Sequence, residues 1–380
     1  MVDAPPVAPV AGILALAREG HGFLRNPKRD CQIQDIDPYV HRDLIQRHGL
    51  REGQLIEAHV SRAMRGPAPM VATIDKVEGL DPAKARDIPK IEELTVIDPD
   101  KAFQLVGGEH QDMTLRVIDL VTPIGMGQRA LIVAPPRTGK TVVLQKIANA
   151  ITTFHPDVSL LVCLVDERPE EATDMKRAVK GEVYASTNDL PAVNHVAMTE
   201  LVTARAKRLC EMGKNVVVLM DSLTRLGRAY NAAARTTGRI LSGGLEANAL
   251  QRPKRFFGSA RNIEGGGSLT ILASALIETN SRMDEVIFEE FKGTGNMEIV
   301  LSRAISEQRI FPAIDINRSG TRMEDLLYDP AEAKLVKALR AALADMPPVE
   351  AIEKLLEKLS KAPTNAEFLL SLMAGASRVF

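Results

Sequence analysis

From about Leu115 onward, continuous apolar runs alternate with stretches in which apolar residues recur every three or four positions. The runs Ala130 to Val133, Leu160 to Val165, Val216 to Met220 and Leu269 to Ser274 have the unbroken hydrophobicity of strands covered on both faces. Amphipathic helical stretches separate them, which predicts a parallel sheet with helices on its faces over residues 112–328. Residues 329–380 continue at helical spacing, with Leu335, Leu339 and Leu343 followed by Ile352, Leu355, Leu356 and Leu359. These read as helices packed on the same domain. Ahead of the sheet the rhythm differs. Over residues 12–77, short apolar stretches are cut by turn residues at Asn26-Pro27, Arg51-Glu52-Gly53 and Gly66-Pro67, the pattern of a small β-barrel. Residues 1–11 are a Pro-rich, disordered lead-in and residues 78–111 an extended connector carrying Pro82, Pro89 and Pro99. The fold class is therefore α/β, a barrel followed by a helix-flanked sheet.

The first strand of the sheet runs into Ala134-Pro135-Pro136-Arg137-Thr138-Gly139-Lys140-Thr141, and a helix opens at Val142. A phosphate-binding loop needs this strand, loop and helix context. Gly139 removes a Cβ from the path of phosphate oxygens, Lys140 reaches the β- and γ-phosphates, and the Thr141 hydroxyl can ligate Mg²⁺. Ala134 stands where the standard pattern has its first Gly, and Pro135 and Pro136 lack amide donors. The phosphates then fall mainly to the amides of Thr138 to Thr141. Two more strands end in Asp166-Glu167-Arg168 and Asp221-Ser222, so their carboxylates face the same crevice. Asp221 fits the acid that holds hydrated Mg²⁺, and Glu167 the base that polarises an attacking water. ATP hydrolysis also calls for an arginine near the γ-phosphoryl group. Arg318, Arg322, Arg303 and Arg309 are all candidates, and the sequence does not choose among them.

Composition narrows the function classes. The absence of Trp and 4% aromatic content argue against an aromatic-lined sugar cleft. Cys31, Cys163 and Cys210 are too few and too scattered for a disulfide framework or a CxxC metal site, which points to a reducing cytoplasm. The apolar run from Val7 to Ala17 contains Pro9 and follows Asp3, a poor secretory signal, and no segment has the length of a membrane span. With 48 basic and 49 acidic residues the net charge is -1, which excludes a uniformly basic nucleic-acid binder. The charge is unevenly spread. Residues 201–261 hold twelve Lys or Arg against three acids, a local excess of +9 that leaves -10 for the remainder. Within that segment, Arg235 to Gly244 is Gly-punctuated and reads as a loop able to track a phosphodiester backbone. In the barrel, Phe23, Arg25 and Tyr39 form an aromatic-plus-Arg set that can stack bases, with core packing as the plain alternative for Phe23.

Seven segments together carry a closer likeness: HGFLR (21–25), VTPIGMGQRALIVAPPRTGKT (121–141), DERPEEATDMKR (166–177), VVVLMDSLTRLGRAYN (216–231), RPKRFFGSARN (252–262), EEFKGTGNMEIVLSR (289–303) and FPAIDINRSGTR (311–322). Over residues 12–375 the chain resembles the Rho family of bacterial transcription termination factors. The resemblance implies an OB-like RNA-binding barrel, a RecA-type P-loop ATPase core, and a homohexameric, RNA-dependent ATPase and 5′ to 3′ RNA/DNA helicase that releases transcripts from RNA polymerase. ATP and Mg²⁺ are the implied cofactors. Single-stranded RNA, the RNA polymerase elongation complex and Nus-type elongation factors are the implied partners, and no membrane. By the same matching, Thr138, Gly139, Lys140, Thr141 and Val142 hold the nucleotide, with Phe311 against adenine. Thr141 and Asp221 serve Mg²⁺, Glu167 is the base, Arg168 lies near the phosphates, and Arg322 is the finger from a neighbouring subunit. Arg239, Ile240, Leu241 and Ser242 belong to one RNA-gripping loop and Thr279, Asn280, Ser281 and Arg282 to another, with Lys292 also facing the pore. Phe23, Arg25 and Tyr39 line the primary RNA site. The chain departs from the family pattern in two places: about ten Pro-rich residues stand where a helical subdomain often precedes the barrel, and His21 and Ala68-Pro69-Met70 replace family aromatics. Two rival readings are a RecA-like or rotary ATPase working on DNA or in a membrane complex, and an RNA-binding regulator that binds ATP without turnover.

Overall fold

A computed structural model describes residues 8–61, 68–234, 240–246 and 248–374. A closed five-stranded barrel forms the N-terminal unit: β1 (Ala8–Leu16), β2 (Gly22–Arg25), β3 (Tyr39–Val40), β4 (Leu55–Ser61) and β5 (Met70–Val77), in the order β1-β2-β3-β5-β4. β1 begins at Ala8, so the expected lead-in is strand over Ala8–Ala11, where Ala8 to Ala11 pair with Val60 to Glu57 of β4. The two prolines before it misled the sequence reading, because Pro9 is tolerated on a barrel strand whose ladder partner does not need its amide. Leu14, Leu24, Val40, Ile56 and Val71 fill the barrel, each 6% exposed or less. The turn expected at Gly66-Pro67 lies outside the described residues.

The connector is more structured than its sequence suggested. It holds a short helix, Pro82–Arg86, and then β6 (Val96–Ile97). The main sheet follows: β7 (Arg129–Ala134), β8 (Ser159–Glu167), β9 (Glu182–Thr187), β10 (Asn215–Asp221), a separate β11 (Ile240–Leu241) and β12 (Leu245–Glu246) ribbon, β13 (Arg261–Ile263), β14 (Ser268–Leu276), β15 (Met297–Val300) and β16 (Gly320–Thr321). The path is β16-β15-β7-β14-β10-β8-β9, with β13 on β14 and β6 on β13. The strands from β15 through β9 run parallel, so all their carboxyl ends reach one edge. In β8, Leu160, Val162 and Leu164 face one helical layer while Leu161, Cys163 and Val165 face the other. This two-sided burial is what makes the strand an unbroken apolar run. All three cysteines are buried and unpaired, and burial pushes each thiol up to about 12. The final helices, Pro330–Leu343, Pro348–Ser360 and Asn365–Ala374, cover one layer. Arg116, 2% exposed, ties them down by donating to the carbonyls of Leu359 (3.0 Å) and Ala362 (2.9 Å) and to Asn365 Oδ1 (3.0 Å).

The barrel docks on the long helix Ala192–Glu211. Gly53, at φ +83°, makes this approach possible: a Cβ there would lie 2.3 Å from the Ala204 carbonyl carbon. Polar contacts seal the seam. Arg205 pairs with Glu78 at 2.5 Å, Arg51 with Glu211 at 3.1 Å, and the Glu211 carboxylate also accepts the Ile91 amide at 2.9 Å. Among the described residues no helix is long and apolar enough to cross a membrane.

Candidate ATPase site and RNA-binding surfaces

Parallel register brings Ala134, Glu167, Asp221 and Leu276 to the same edge of the sheet, and the phosphate loop arches over it. The loop is closed by the Thr138 hydroxyl, which donates to the Pro135 carbonyl at 2.8 Å. Gly139 takes φ +89° and leads into the helix Lys140–Phe154. Only glycine adopts that backbone cheaply, and a Cβ would also meet the Phe311 ring at 3.8 Å. The first amides of that helix have no intrahelical acceptor, and with the positive end of the helix dipole they make an anion cradle.

Lys140 is aimed at two carboxylates. Its ammonium bonds Asp221 Oδ1 and lies 3.5 Å from Glu167 Oε1. Asp221 also accepts from the Ser274 hydroxyl at 2.6 Å. Glu167, 3% exposed, is pushed up to about 7 by burial first and by the neighbouring Asp221 second, against the pull of Lys140 and Arg225. Arg225 clasps this corner: its Nη2 sits 3.2 Å from Glu167 Oε2 and its Nη1 donates to the Asp166 carbonyl. A carboxyl poised near neutrality beside a phosphate cradle can take a proton from water. Phe311, 52% exposed, joins Thr138, Gly139, Val142 and Val143 around an adjoining cavity of about 400 Å³, an aromatic wall suited to a base.

The remaining expected residues divide. Arg168 precedes the helix Pro169–Ala178 and is exposed, and among the described residues its guanidinium makes no ion pair with Glu167 or Asp221. Arg322 lies at the far edge of the sheet. Its amide donates to the Asn296 carbonyl just before β15, and Thr321 is in register with Met297, which pairs with Ala130 at the start of β7. The phosphate loop leaves the opposite end of β7, so one chain's Arg322 does not reach its own Lys140. Arg303 pairs with Glu278 at 3.3 Å, and Arg309 shares a cleft with Arg137 beside the loop. Arg225 and Ser274 were missed by the sequence reading. Their spacing after the β10 and β14 runs was visible, but which face each presents needs the register.

Two of the expected RNA loops meet. The turn Ser242–Gly244 between β11 and β12 packs on the start of the helix Arg282–Lys292, where the position of a Gly243 Cβ is 2.8 Å from the Met283 amide. At that same helix start, Asp284, 1% exposed, receives Thr279 Oγ1 at 2.6 Å and the Arg228 guanidinium, while the Ser281 hydroxyl caps by accepting the Asp284 amide. Asn280 is exposed at φ +58°, Arg282 is exposed, and the Lys292 ammonium lies 5.7 Å from the Phe288 ring. Ile240 and Leu241 form β11, and Arg239 lies outside the described residues.

On the barrel, Phe23 and Tyr39 are half-buried cross-strand partners with ring centroids 5.7 Å apart, which corrects the core-packing alternative for Phe23. The pleat turns Leu24 inward instead. His21 completes the cluster at 5.5 Å from Phe23 and 5.2 Å from Tyr39. Arg25 lies over the Phe23 ring at 5.1 Å and is fixed by buried Asp37. Rings presented edge and face beside a fixed guanidinium suit single-stranded bases.

Residues 10–83 match the family described as Rho termination factor, RNA-binding domain, and residues 114–321 match the ATP synthase alpha/beta family, nucleotide-binding domain. Among curated proteins the chain is 51% identical to the transcription termination factor Rho of Cereibacter sphaeroides over 95% of its length and 86% of the relative's. It is 52% identical to that of Aquifex aeolicus, over 96% and 85%, and 51% identical to that of Haemophilus influenzae, over 94% and 86%. Among solved structures, an ATPase from the type III secretion system of pathogenic bacteria superposes with a TM-score of 0.61 at 22% identity, covering 83% of this chain and 94% of that one. The ATP synthase subunit NeqB from Nanoarcheaum equitans gives 0.60 at 17%, covering 77% and 80%. These two share the fold. The barrel, the nucleotide site and half of all residues over nearly the whole chain agree on one assignment: the chain belongs to the transcription termination factor Rho family.

Proposed function

We propose that the chain is an RNA-dependent ATPase and 5′ to 3′ RNA/DNA helicase that assembles as a homohexameric ring, moves along nascent RNA and releases the transcript from RNA polymerase. The observation that carries this reading is the pairing, in one chain, of an ATPase corner built on Lys140, Glu167 and Asp221 with a half-buried Phe23–Tyr39–Arg25 cluster on the barrel. In hydrolysis, Lys140 leaves its carboxylate partners for the γ-phosphate. Glu167 takes a proton from the attacking water as the oxygen bonds phosphorus, and the bond to the bridging oxygen breaks with its electron pair going to ADP. Thr141 and Asp221 are the residues that would hold Mg²⁺. Among the described residues no group of three or more acidic, His or Cys side chains forms a metal cage, which suits an ion that takes its other oxygens from nucleotide and water. When bound, that ion neutralises charge on the phosphates.

The far-edge position of Arg322 supports a finger supplied by a neighbouring copy. The edges also match in character: Val142 and Phe311 are exposed beside the loop, Met323 and Leu326 beside Arg322. Two different patches on one molecule suit head-to-tail contacts, which close into a ring when the rotation between copies closes. The RNA polymerase elongation complex and Nus-type elongation factors are the partners this activity calls for, in a cytoplasmic setting. Steady-state ATPase activity measured with RNA homopolymers, with single-stranded DNA and without nucleic acid tests the reading. Strong stimulation by RNA is expected, and no stimulation by any RNA overturns it.

A further inference from the structure

The +9 segment of the sequence is only partly used by the motor loops, and three of its cations face a cleft between barrel and motor. Two neighbouring cavities, of about 800 and 560 Å³, share Arg18, Glu200, Tyr230, Arg252 and Arg255 on their walls and so lie side by side along one open, channel-like cleft. One end is bounded by Leu16 and Ala17 of the first barrel hairpin. That hairpin carries the aromatic cluster, since the Ala17 amide donates to the His21 carbonyl at 2.8 Å. The other end is bounded by Ala234 and Glu246, which flank the β11–β12 ribbon.

The charges along this channel are not all free. Arg252 reaches Glu200 at 2.7 Å, the same oxygen that accepts the Tyr230 hydroxyl at 2.9 Å, so the Glu200 charge is partly offset. Lys207 pairs with Glu92 at 3.0 Å. Arg18 and Arg255 are exposed and have no ion-pair partner among the described residues. Burial and the nearby Glu200 push the Glu52 carboxyl up, which further reduces the acidity of the wall. Cations strung along an open channel, rather than converging on one point, fit a polymer of phosphates better than a small anion.

We propose that this channel is a third RNA contact, in which Arg18 and Arg255 hold the phosphodiester backbone of the strand as it passes from the barrel of a subunit to its central loops. The proposal rests on the RNA-dependent reading above and adds to it a route within one subunit. Its function is to keep the segment between the two gripping points taut, so that a step taken by the loops is felt at the barrel.

The test is an R18Q/R255Q double variant, with R18K/R255K as the charge-preserving control, measured by fluorescence anisotropy across a salt series. Two RNAs are used: an oligocytidine short enough to occupy one barrel, about 4 to 16 nucleotides, and a strand several times longer. Loss of two backbone contacts on a single strand lowers the salt slope by about 1.4 and the affinity for the long RNA by roughly tenfold. The short RNA is expected to bind the Gln variant as it binds the unsubstituted chain, which also shows that the barrel is folded, and the Lys variant is expected to restore long-strand binding. The route is overturned if the long RNA binds the Gln variant with unchanged affinity and slope. It is equally overturned if short and long RNAs weaken together, or if the Lys variant fails to recover. If the unsubstituted chain binds neither RNA, the RNA-dependent reading itself fails, an outcome the short oligonucleotide separates from the others.

Discussion

Glu167 sits between opposed pulls, burial and Asp221 holding its proton on, Lys140 and Arg225 drawing it off. As the proposed base, Glu167 works only when ionised, so kcat/KM for ATP is expected to fall below an acid limb near pH 7 and level off above it. Arg225→Gln removes one of the groups that lower this carboxyl, so the limb moves to higher pH; a pH–rate profile that does not move, or moves down, refutes the clasp. Glu167→Gln is expected to keep nucleotide and RNA binding while turnover drops by about 10²- to 10⁴-fold. Unchanged kcat removes Glu167 from the base role. On the barrel, Phe23→Ala and Tyr39→Ala should each weaken RNA binding by about 1 to 3 kcal/mol, read by titration at fixed salt. Lys140, Glu167 and Asp221 were legible in the sequence because strand ends and a glycine loop announce them. Arg225 was not, since its role depends on a helix turning its guanidinium back over β8.

The helix Leu223–Ala233 touches both the proposed ATPase corner and the proposed RNA loops. Arg225 in its first turn holds Glu167, Arg228 one turn on pairs with Asp284 beneath the Thr279–Ser281 loop, and Asn231 at its end accepts the Glu246 amide at 2.8 Å and donates to the Gly244 carbonyl at 3.2 Å. We expect a rigid rod carrying three such contacts to transmit displacement from the loop to the proposed base. Arg228→Lys keeps the charge but loses the two-pronged grip, so RNA stimulation of the ATPase should fall by about 0.5 to 2 kcal/mol of coupling while ATP affinity holds. Equal loss of stimulated and unstimulated rates refutes the coupling. The sequence made the motor strands plain because two-sided burial writes them as apolar runs. β9 and β15 escaped it: Glu182 and Glu298 put carboxylates into the strands, and β6 and β16 are two residues long, pinned by tertiary pairing alone.

At the scale of the whole molecule, barrel and motor are joined by a backbone approach that one methyl group blocks. Gly53→Ala places a Cβ 2.3 Å from the Ala204 carbonyl carbon at a positive φ, and is expected to loosen docking by about 1 to 3 kcal/mol. RNA affinity of the barrel should survive while RNA stimulation of ATP hydrolysis declines; a decline in both argues that the barrel itself has unfolded. Assembly is tested by mixing chains. Lys140→Ala and Arg322→Ala chains, each inactive alone, should recover activity together, because mixed contacts pair an intact phosphate loop with an intact finger, and absence of recovery revises the assignment of Arg322. The placement of Lys140 and Arg322 at opposite edges of one sheet has a further meaning for how such a protein is controlled. On the proposed assignment of Arg322 each chain carries the front half of one catalytic centre and the back half of another, so concentration acts as a regulator: dilution should silence hydrolysis while every chain remains folded, and turnover per chain should rise with total protein until contacts saturate.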